Sequence, residues 1–139
     1  MENTGNRWAG VSDEAAGRMV KALFDTNILI DYLNGVQDAK AELALYQDKA
    51  ISIITWMEVQ VGTEPQEQAK VDNFLSGFTI LPLDAPVSVR AVALRKQANI
   101  KLPDAIIWAS AQVGNRLLVT RDSRDFLATH PGVRVPYLI

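Results

Sequence analysis

The 139-residue sequence contains no cysteine and a single histidine, His130. The absence of cysteine excludes thiol catalysis, thiolate metal sites and disulfide frameworks. We expect His130 at the surface, which argues against a histidine–carboxylate catalytic triad. No apolar run reaches the roughly 18 residues that a membrane helix needs, and the N-terminus has no hydrophobic stretch typical of a signal peptide. We therefore expect a cytoplasmic protein with no membrane partner.

The length and composition are those of one globular domain. Apolar residues make up 48% and charged residues 22% of the chain, which are ordinary values. A chain of this length buries a core without disulfides. Residues 1–18 carry three glycines and no clear hydrophobic periodicity. We expect them to form a flexible extension, followed by a single domain at 19–139.

The net charge of −2 hides an asymmetry between the two halves of the chain. Residues 1–84 hold 6 basic and 13 acidic residues, whereas residues 85–139 hold 8 basic and 3 acidic residues. A basic second half beside an acidic site would suit a phosphate-bearing partner. Solvated helix faces are the alternative explanation, and the acidic first half would equally suit a basic protein partner.

Strand-like and helix-like segments alternate from Val20 onward. The patterns predict strands at 20–24, 50–54, 78–81, 117–120 and 133–135. They predict helices at 28–33, 37–46, 55–61, 64–75, 87–98, 103–113 and a short helical turn at 123–128. Strands separated by helices indicate right-handed crossovers and a mainly parallel α/β sheet covered on both faces.

Four acidic residues stand where a predicted strand ends or a predicted helix begins: Asp25, Glu58, Asp104 and Asp122. In a parallel sheet these positions share one edge, at the carboxyl ends of the strands. Two unit charges about 5 Å apart at an effective dielectric near 20 repel by roughly 3 kcal/mol. A bound hard cation such as Mg²⁺ relieves such repulsion. The pattern therefore predicts a metal-dependent nuclease.

Each acid also has a local explanation. Asp25 can cap the following helix, and Glu58 can form a capping box with Thr55. Asp104 suits the positive end of a helix dipole, and Asp122 suits an Asx-turn. The occurrence of all four at successive strand ends favours a shared cluster over four separate caps.

Other polar residues are secondary candidates. Asn27, Thr120 and Asp125 can support the acidic cluster. The basic residues Arg116, Arg121 and Arg124 are weaker candidates for contacts with a nucleic-acid backbone. We expect Asp31 to be exposed, and we expect the following residues to lie in the core: Trp56, Ile106, Ile107, Trp108 and Val113.

Four segments in order resemble the PIN domain, and particularly the VapC-type toxins of bacterial toxin–antitoxin pairs. They are FDTNILIDYL, ISIITWMEVQVG, LPDAIIWASAQ and LLVTRDSRDF, within a resemblance that covers residues 20–139. The resemblance implies a PIN-like three-layer sandwich with a five-stranded sheet. It also implies an Mg²⁺- or Mn²⁺-dependent endoribonuclease that acts on structured RNA, with the cation held by Asp25, Glu58, Asp104 and Asp122.

The same resemblance implies a homodimer that is inhibited by a small cognate antitoxin, whose tail fills the acidic groove. The 18-residue lead departs from the compact start of the family, and the last acid can be Asp122 or Asp125. Two alternatives are a phosphatase of the haloacid dehalogenase type and a non-catalytic PIN-like binding protein. The phosphatase would need an aspartate where Asn27 stands.

Overall fold

The computed structural model describes residues 20–122, 126 and 129–138. The predicted extension at 1–18 lies outside the described residues, as do Arg124 and Asp125 and most of the predicted turn at 123–128. In the part of the chain that is described, no helix has both the length and the apolar character needed to cross a bilayer.

The described residues form a five-stranded sheet in which all pairings are parallel. The strands are β1 (Lys21–Phe24), β2 (Asp48–Ser52), β3 (Thr79–Leu81), β4 (Leu117–Val119) and β5 (Val133–Arg134). Their order across the sheet is β3-β2-β1-β4-β5. The prediction of a mainly parallel sheet is confirmed, and β1 occupies its centre.

Six α-helices connect the strands within the described residues. They are α1 (Thr26–Leu33), α2 (Gln37–Ala44), α3 (Ile53–Val61), α4 (Gln68–Leu75), α5 (Ala85–Ala98) and α6 (Leu102–Val113). A single 3₁₀ turn at Pro65–Glu67 precedes α4. Pro86 and Pro103 lie in the first turns of α5 and α6, where a missing N–H costs nothing.

The helices cover both faces of the sheet, because alternate strand residues point to opposite sides. In β1, Ala22 and Phe24 face a core formed with α1, α2, α3 and α4. Leu23 faces a second core formed with α5 and α6. Three layers result, as expected for a parallel sheet that is buried on both faces.

The core predictions are mostly correct. Ile106, Ile107 and Trp108 are buried in the second core, and Trp56 is partly buried against the first. The prediction for Val113 was wrong, because this residue is 47% exposed. Val113 is the last residue of α6, where the helix reaches the surface.

The carboxyl ends of β1 and β4 are held side by side beyond their last paired residues. Phe24 is in register with Val119, and the amide of Asp25 donates to the Val119 carbonyl at 2.9 Å. The amide of Thr120 in turn donates to the carbonyl of Arg134 at 3.0 Å. Residues separated by about 95 positions in the sequence therefore emerge together at one edge of the sheet.

Candidate active site

Asp25 lies at the centre of this edge and is only 5% exposed. It is the N-cap of α1, and its Oδ1 accepts a hydrogen bond from the amide of Thr26 at 2.8 Å. Its Oδ2 accepts from the Thr120 hydroxyl at 2.7 Å and from Asn27 Nδ2 at 3.2 Å. Capping and membership of a polar cluster are thus compatible at this residue, since each carboxylate oxygen has its own donors.

Burial raises the pKa of Asp25 to about 6 from its ordinary value of 3.8. The hydrogen bonds from Thr120 and Thr26 oppose this increase because they stabilise the carboxylate. The negative charges of Asp122 and Glu58 raise the pKa further. Three of the four predicted acids therefore act on one another electrostatically at this edge.

Glu58 reaches the site through the side chain of Thr26. The Thr26 hydroxyl lies 2.6 Å from Glu58 Oε1 and 2.9 Å from the hydroxyl of Thr55. A hydroxyl has one proton to donate, so Thr26 donates to Glu58 and accepts from Thr55. Thr55 is fully buried. The two hydrogen bonds of the Thr26 hydroxyl therefore fix the position of Glu58 relative to α1.

The predicted capping box of Thr55 and Glu58 was wrong. The N-cap of α3 is Ser52, whose side chain accepts from the amide of Ile54 at 3.0 Å. The helix therefore begins two residues earlier than predicted, and Glu58 lies in its second turn. The local explanation for Glu58 is removed, because its carboxylate caps nothing and instead accepts from α1.

Thr120 and Asp122 follow β4 on the other side of Asp25. The Thr120 hydroxyl donates to Asp25 and accepts from the amide of Asp122 at 3.0 Å. Asn27 Nδ2 lies 3.5 Å from the same hydroxyl, and Asn27 Oδ1 accepts from the amide of Arg121 at 3.4 Å. Asn27 and Thr120 thus connect the start of α1 to the loop that carries Asp122.

Asp104 lies in the first turn of α6 and is partly exposed. Because α6 leads into the parallel strand β4, it runs antiparallel to the strands and begins at their carboxyl edge. The N-cap of α6 is Lys101, whose side chain makes no capping hydrogen bond. The topology therefore brings Asp104 to the same edge as the other three acids.

The predicted arginines do not share one location. Arg116 precedes β4 and lies at the opposite edge of the sheet, where its Nη1 donates to Asp48 Oδ1 at 2.8 Å. Arg121 lies beside the acids, and its guanidinium is paired with Asp31. The expectation that Asp31 is exposed was wrong, because this residue is only 4% exposed.

Sequence reasoning missed four participants: Thr26, Asp31, Thr55 and Tyr137. A signal for Asp31 was available, since it follows buried Ile28 by three residues and so lies on the same helical face. Thr55 lies three residues before Glu58, again on one face of a helix. We find no local signal for Tyr137, whose hydroxyl donates to Asp31 from a segment 106 residues away.

The side chains at this edge suit a hard cation by their chemistry. Carboxylate and hydroxyl oxygens surround Asp25, and oxygen is the ligand type that Mg²⁺ and Mn²⁺ prefer. Within residues 20–122, 126 and 129–138, no group of three or more acidic or histidine side chains is placed to hold a metal ion. Mg²⁺ does not require such a group, because it keeps several waters and commonly binds one or two carboxylates together with substrate phosphates.

Several classes of hydrolase have a parallel three-layer α/β fold with acidic residues at the carboxyl ends of the strands. Comparison with known proteins identifies the class to which this chain belongs. The family model described as PIN domain matches residues 22–130. The chain therefore belongs to the PIN domain family, a family of nucleases. This membership argues against the haloacid dehalogenase alternative.

Solved structures show which members of the family this chain is similar to. A toxin–antitoxin complex from Klebsiella pneumoniae is 46% identical, with a TM-score of 0.81, covering 86% of this chain and 100% of that one. FitAcB from Neisseria gonorrhoeae is 26% identical, with a TM-score of 0.71, covering 83% and 97%. VapBC2 from Rickettsia felis, bound to a promoter DNA fragment, is 27% identical, with a TM-score of 0.69, covering 81% and 94%.

The search of curated proteins finds no match. The solved structures nevertheless confirm the resemblance to VapC-type toxins that the four sequence segments indicated.

Proposed function

We propose that this PIN-domain nuclease is a metal-dependent endoribonuclease and the toxin of a VapBC-type pair. One observation carries the proposal: the buried carboxylate of Asp25 accepts from Thr120, which also holds the amide of Asp122, and the adjacent Thr26 donates to Glu58, so that three acids lie around one edge of the sheet. A buried acid that neighbours other acids is costly to keep ionised. Perturbed carboxylates of this kind are characteristic of functional sites.

The cation would be Mg²⁺ or Mn²⁺, with Asp25 and Asp104 as direct ligands. Glu58 and Asp122 would bind it directly or through water, and Asp125 is a further candidate. When bound, the cation supplies a water of lowered pKa and stabilises charge on the phosphate. A site without histidine is compatible with this chemistry, since no side-chain base is then required.

The other residues of the site hold the carboxylates in place. Thr120 and Asn27 donate to Asp25 Oδ2, and the amide of Thr26 donates to Oδ1. The Thr26 hydroxyl orients Glu58. These donors stabilise the ionised carboxylates, which is the form that a cation requires.

The proposed partners are RNA, a small cognate antitoxin and a second copy of the chain. The antitoxin is supported by the similar complex from Klebsiella pneumoniae, which is described as a toxin–antitoxin complex. A basic antitoxin tail would complement the acidic edge. Purification from the native host tests this partner, and light scattering of the purified chain tests the homodimer.

The central test compares Asp25→Asn and Asp104→Asn with the wild type in cleavage of total RNA. Each substitution keeps the side-chain size and removes one negative ligand. We expect cleavage to fall by about 100-fold or more in both variants. Glu64→Gln is the matched control, because Glu64 is exposed and makes no capping hydrogen bond, and it should cleave like the wild type.

Chelation in the same assay tests whether cleavage depends on a metal ion. EDTA should abolish cleavage by the wild type, and added Mg²⁺ or Mn²⁺ should restore it. Full cleavage in EDTA would exclude the metal mechanism. Cleavage by neither the wild type nor the control, under metal conditions that support binding, would favour the non-catalytic alternative.

A further inference from the structure

Asp31 is the centre of a buried hydrogen-bond network beside the active site. Arg121 donates to it through two groups, with Nε 2.5 Å from Oδ2 and Nη2 3.2 Å from Oδ1. The hydroxyl of Tyr137 donates to the same Oδ2 at 3.0 Å. The carboxylate of the buried Asp31 thus has three donors, two of them on a positively charged group.

The network connects three separate parts of the chain. Asp31 lies on α1, six residues after Asp25, which corresponds to about 9 Å along the helix. Arg121 stands between Thr120 and Asp122 in the loop after β4, and Tyr137 lies beyond β5. The loop is therefore attached to α1 and its N-cap through Thr120 to Asp25, through the amide of Arg121 to Asn27 and through the guanidinium of Arg121 to Asp31.

The positive charge of Arg121 is already paired with the carboxylate of Asp31. Its pKa is raised, first by the hydrogen bond to Asp31 and also by the charge of that carboxylate. Moving the guanidinium to an RNA phosphate would leave a buried carboxylate without its cation, which is strongly unfavourable. A bidentate arginine–carboxylate pair also fixes orientation as well as distance. Arg121 is thus suited to hold its own loop.

We propose that Asp31, Arg121 and Tyr137 form a positioning clamp that holds the Thr120–Asp122 loop against α1. The effect of the clamp on catalysis rests on the proposed function, in which Asp122 is a candidate ligand of the cation. By fixing Arg121, the clamp also fixes its two neighbours in the sequence. The Thr120 hydroxyl is held against Asp25, and the Asp122 carboxylate is held near Asp25. It also makes the segment after β5 part of the active-site scaffold.

The test is Arg121→Gln, with Arg134→Gln as its matched control. Arg134 forms a pair of the same kind with Glu42, at 2.7 and 2.9 Å. The two arginine side chains are 33% and 28% exposed, and their carboxylates are 6% and 4% exposed. In both pairs a tyrosine hydroxyl donates to the carboxylate. The control therefore loses a similar ion pair that is centred on α2.

We expect Arg121→Gln to lower kcat for RNA by about 10- to 100-fold and Mn²⁺ affinity by a similar factor, as removal of groups that orient metal ligands usually does. KM should change by less than about twofold. In the metal-free protein, hydrogen exchange at the amide of Asp122 should become about tenfold faster or more. Arg134→Gln should leave kcat, Mn²⁺ affinity and this exchange close to the wild-type values.

Tyr137→Phe provides a second variant that changes no charge and keeps the ion pair. We expect it to shift kcat and Asp122 exchange in the same direction as Arg121→Gln, by about two- to fivefold. This variant keeps the clamp testable if Arg121→Gln does not fold.

Three outcomes would overturn the clamp. A several-fold rise in KM at unchanged kcat would make Arg121 a phosphate contact, and an equal loss of kcat in Arg134→Gln would make the effect general destabilisation. Unchanged Asp122 exchange would exclude the clamp whether or not RNA is cleaved. If wild-type protein cleaves no RNA, the proposed function fails, and the exchange measurement still decides the clamp.

Discussion

At the residue scale, Asp25 is subject to opposing influences. Burial and the charges of Asp122 and Glu58 favour its protonated form, whereas donors from Thr120 and Thr26 favour the carboxylate. Burial has the largest effect, so the pKa rises to about 6. The folded protein without metal therefore retains a proton on Asp25 at a pH where the unfolded chain has lost it.

The consequence for stability has a definite sign. The folded pKa lies above the ordinary value of 3.8, so the folded state binds more protons between about pH 4 and pH 6. Stability therefore falls as the pH rises through that window. A difference of roughly two pKa units corresponds to about 3 kcal/mol. This stabilisation is fully present below pH 4 and lost above pH 6.

We predict that Asp25→Asn removes this contribution to the pH dependence. Urea unfolding in EDTA at pH 4.5 and pH 7.5 measures it for the wild type, the variant and the exposed control Glu64→Gln. The wild type and the control should lose about 2 kcal/mol more than the variant over this interval, because part of the full effect is already lost at pH 4.5. Parallel profiles for all three proteins would show that burial does not perturb Asp25.

At the element scale, the start of α3 determines how Glu58 is presented. The helix begins at Ile53 with Ser52 as its N-cap, so Glu58 falls in the second turn. The helix then faces α1, and Thr26 and Thr55 join the two helices through hydrogen bonds. Helix placement, rather than a cap at Thr55, therefore orients this acid.

We predict that Ser52→Ala lowers the free energy of unfolding by about 1 kcal/mol, because the amide of Ile54 loses its side-chain acceptor. Denaturant unfolding measures the change. Ser76→Ala is the control, since Ser76 is exposed at the end of α4, and it should change stability by less than about 0.5 kcal/mol. Equal effects of the two substitutions would contradict the cap assignment.

At the scale of the whole molecule, the two cores and the sheet between them are built from residues 20 onward. The family match begins at residue 22, next to the start of β1. We propose that residues 19–139 are sufficient to form the nuclease domain and that residues 1–18 are not required for it.

We predict that deletion of residues 1–18 leaves a domain that unfolds cooperatively, with a free energy of unfolding within about 0.5 kcal/mol of the full chain. Its RNA cleavage should match that of the full chain. Thermal unfolding and the cleavage assay measure the two properties. Aggregation or loss of the cooperative transition would show that the extension is structural.

Local patterns in the sequence were sufficient for the element order and for the positions of the acids. Short apolar runs predicted the five strands, because strands of a parallel sheet are buried on both faces, and apolar residues repeating every three or four positions predicted the helices. Element boundaries were less accurate, as at Ser52, because several polar residues near a helix start compete for the cap. The positions of Asp25 and Asp122 just after the ends of β1 and β4 follow from the same local reasoning.

The tertiary structure alone decided which side chains pair across the fold. Asp31 and Arg121 are 90 residues apart, and although the helical pattern places Asp31 on a buried face, nothing local identifies the arginine that pairs with it. Arg116 and Arg121 are only five residues apart, yet they lie at opposite ends of the strands. Arg116 precedes β4 at its amino end, whereas Arg121 follows β4 at its carboxyl end. Periodicity reports which face a residue occupies, whereas the identity of its partner depends on how strands and helices assemble in space.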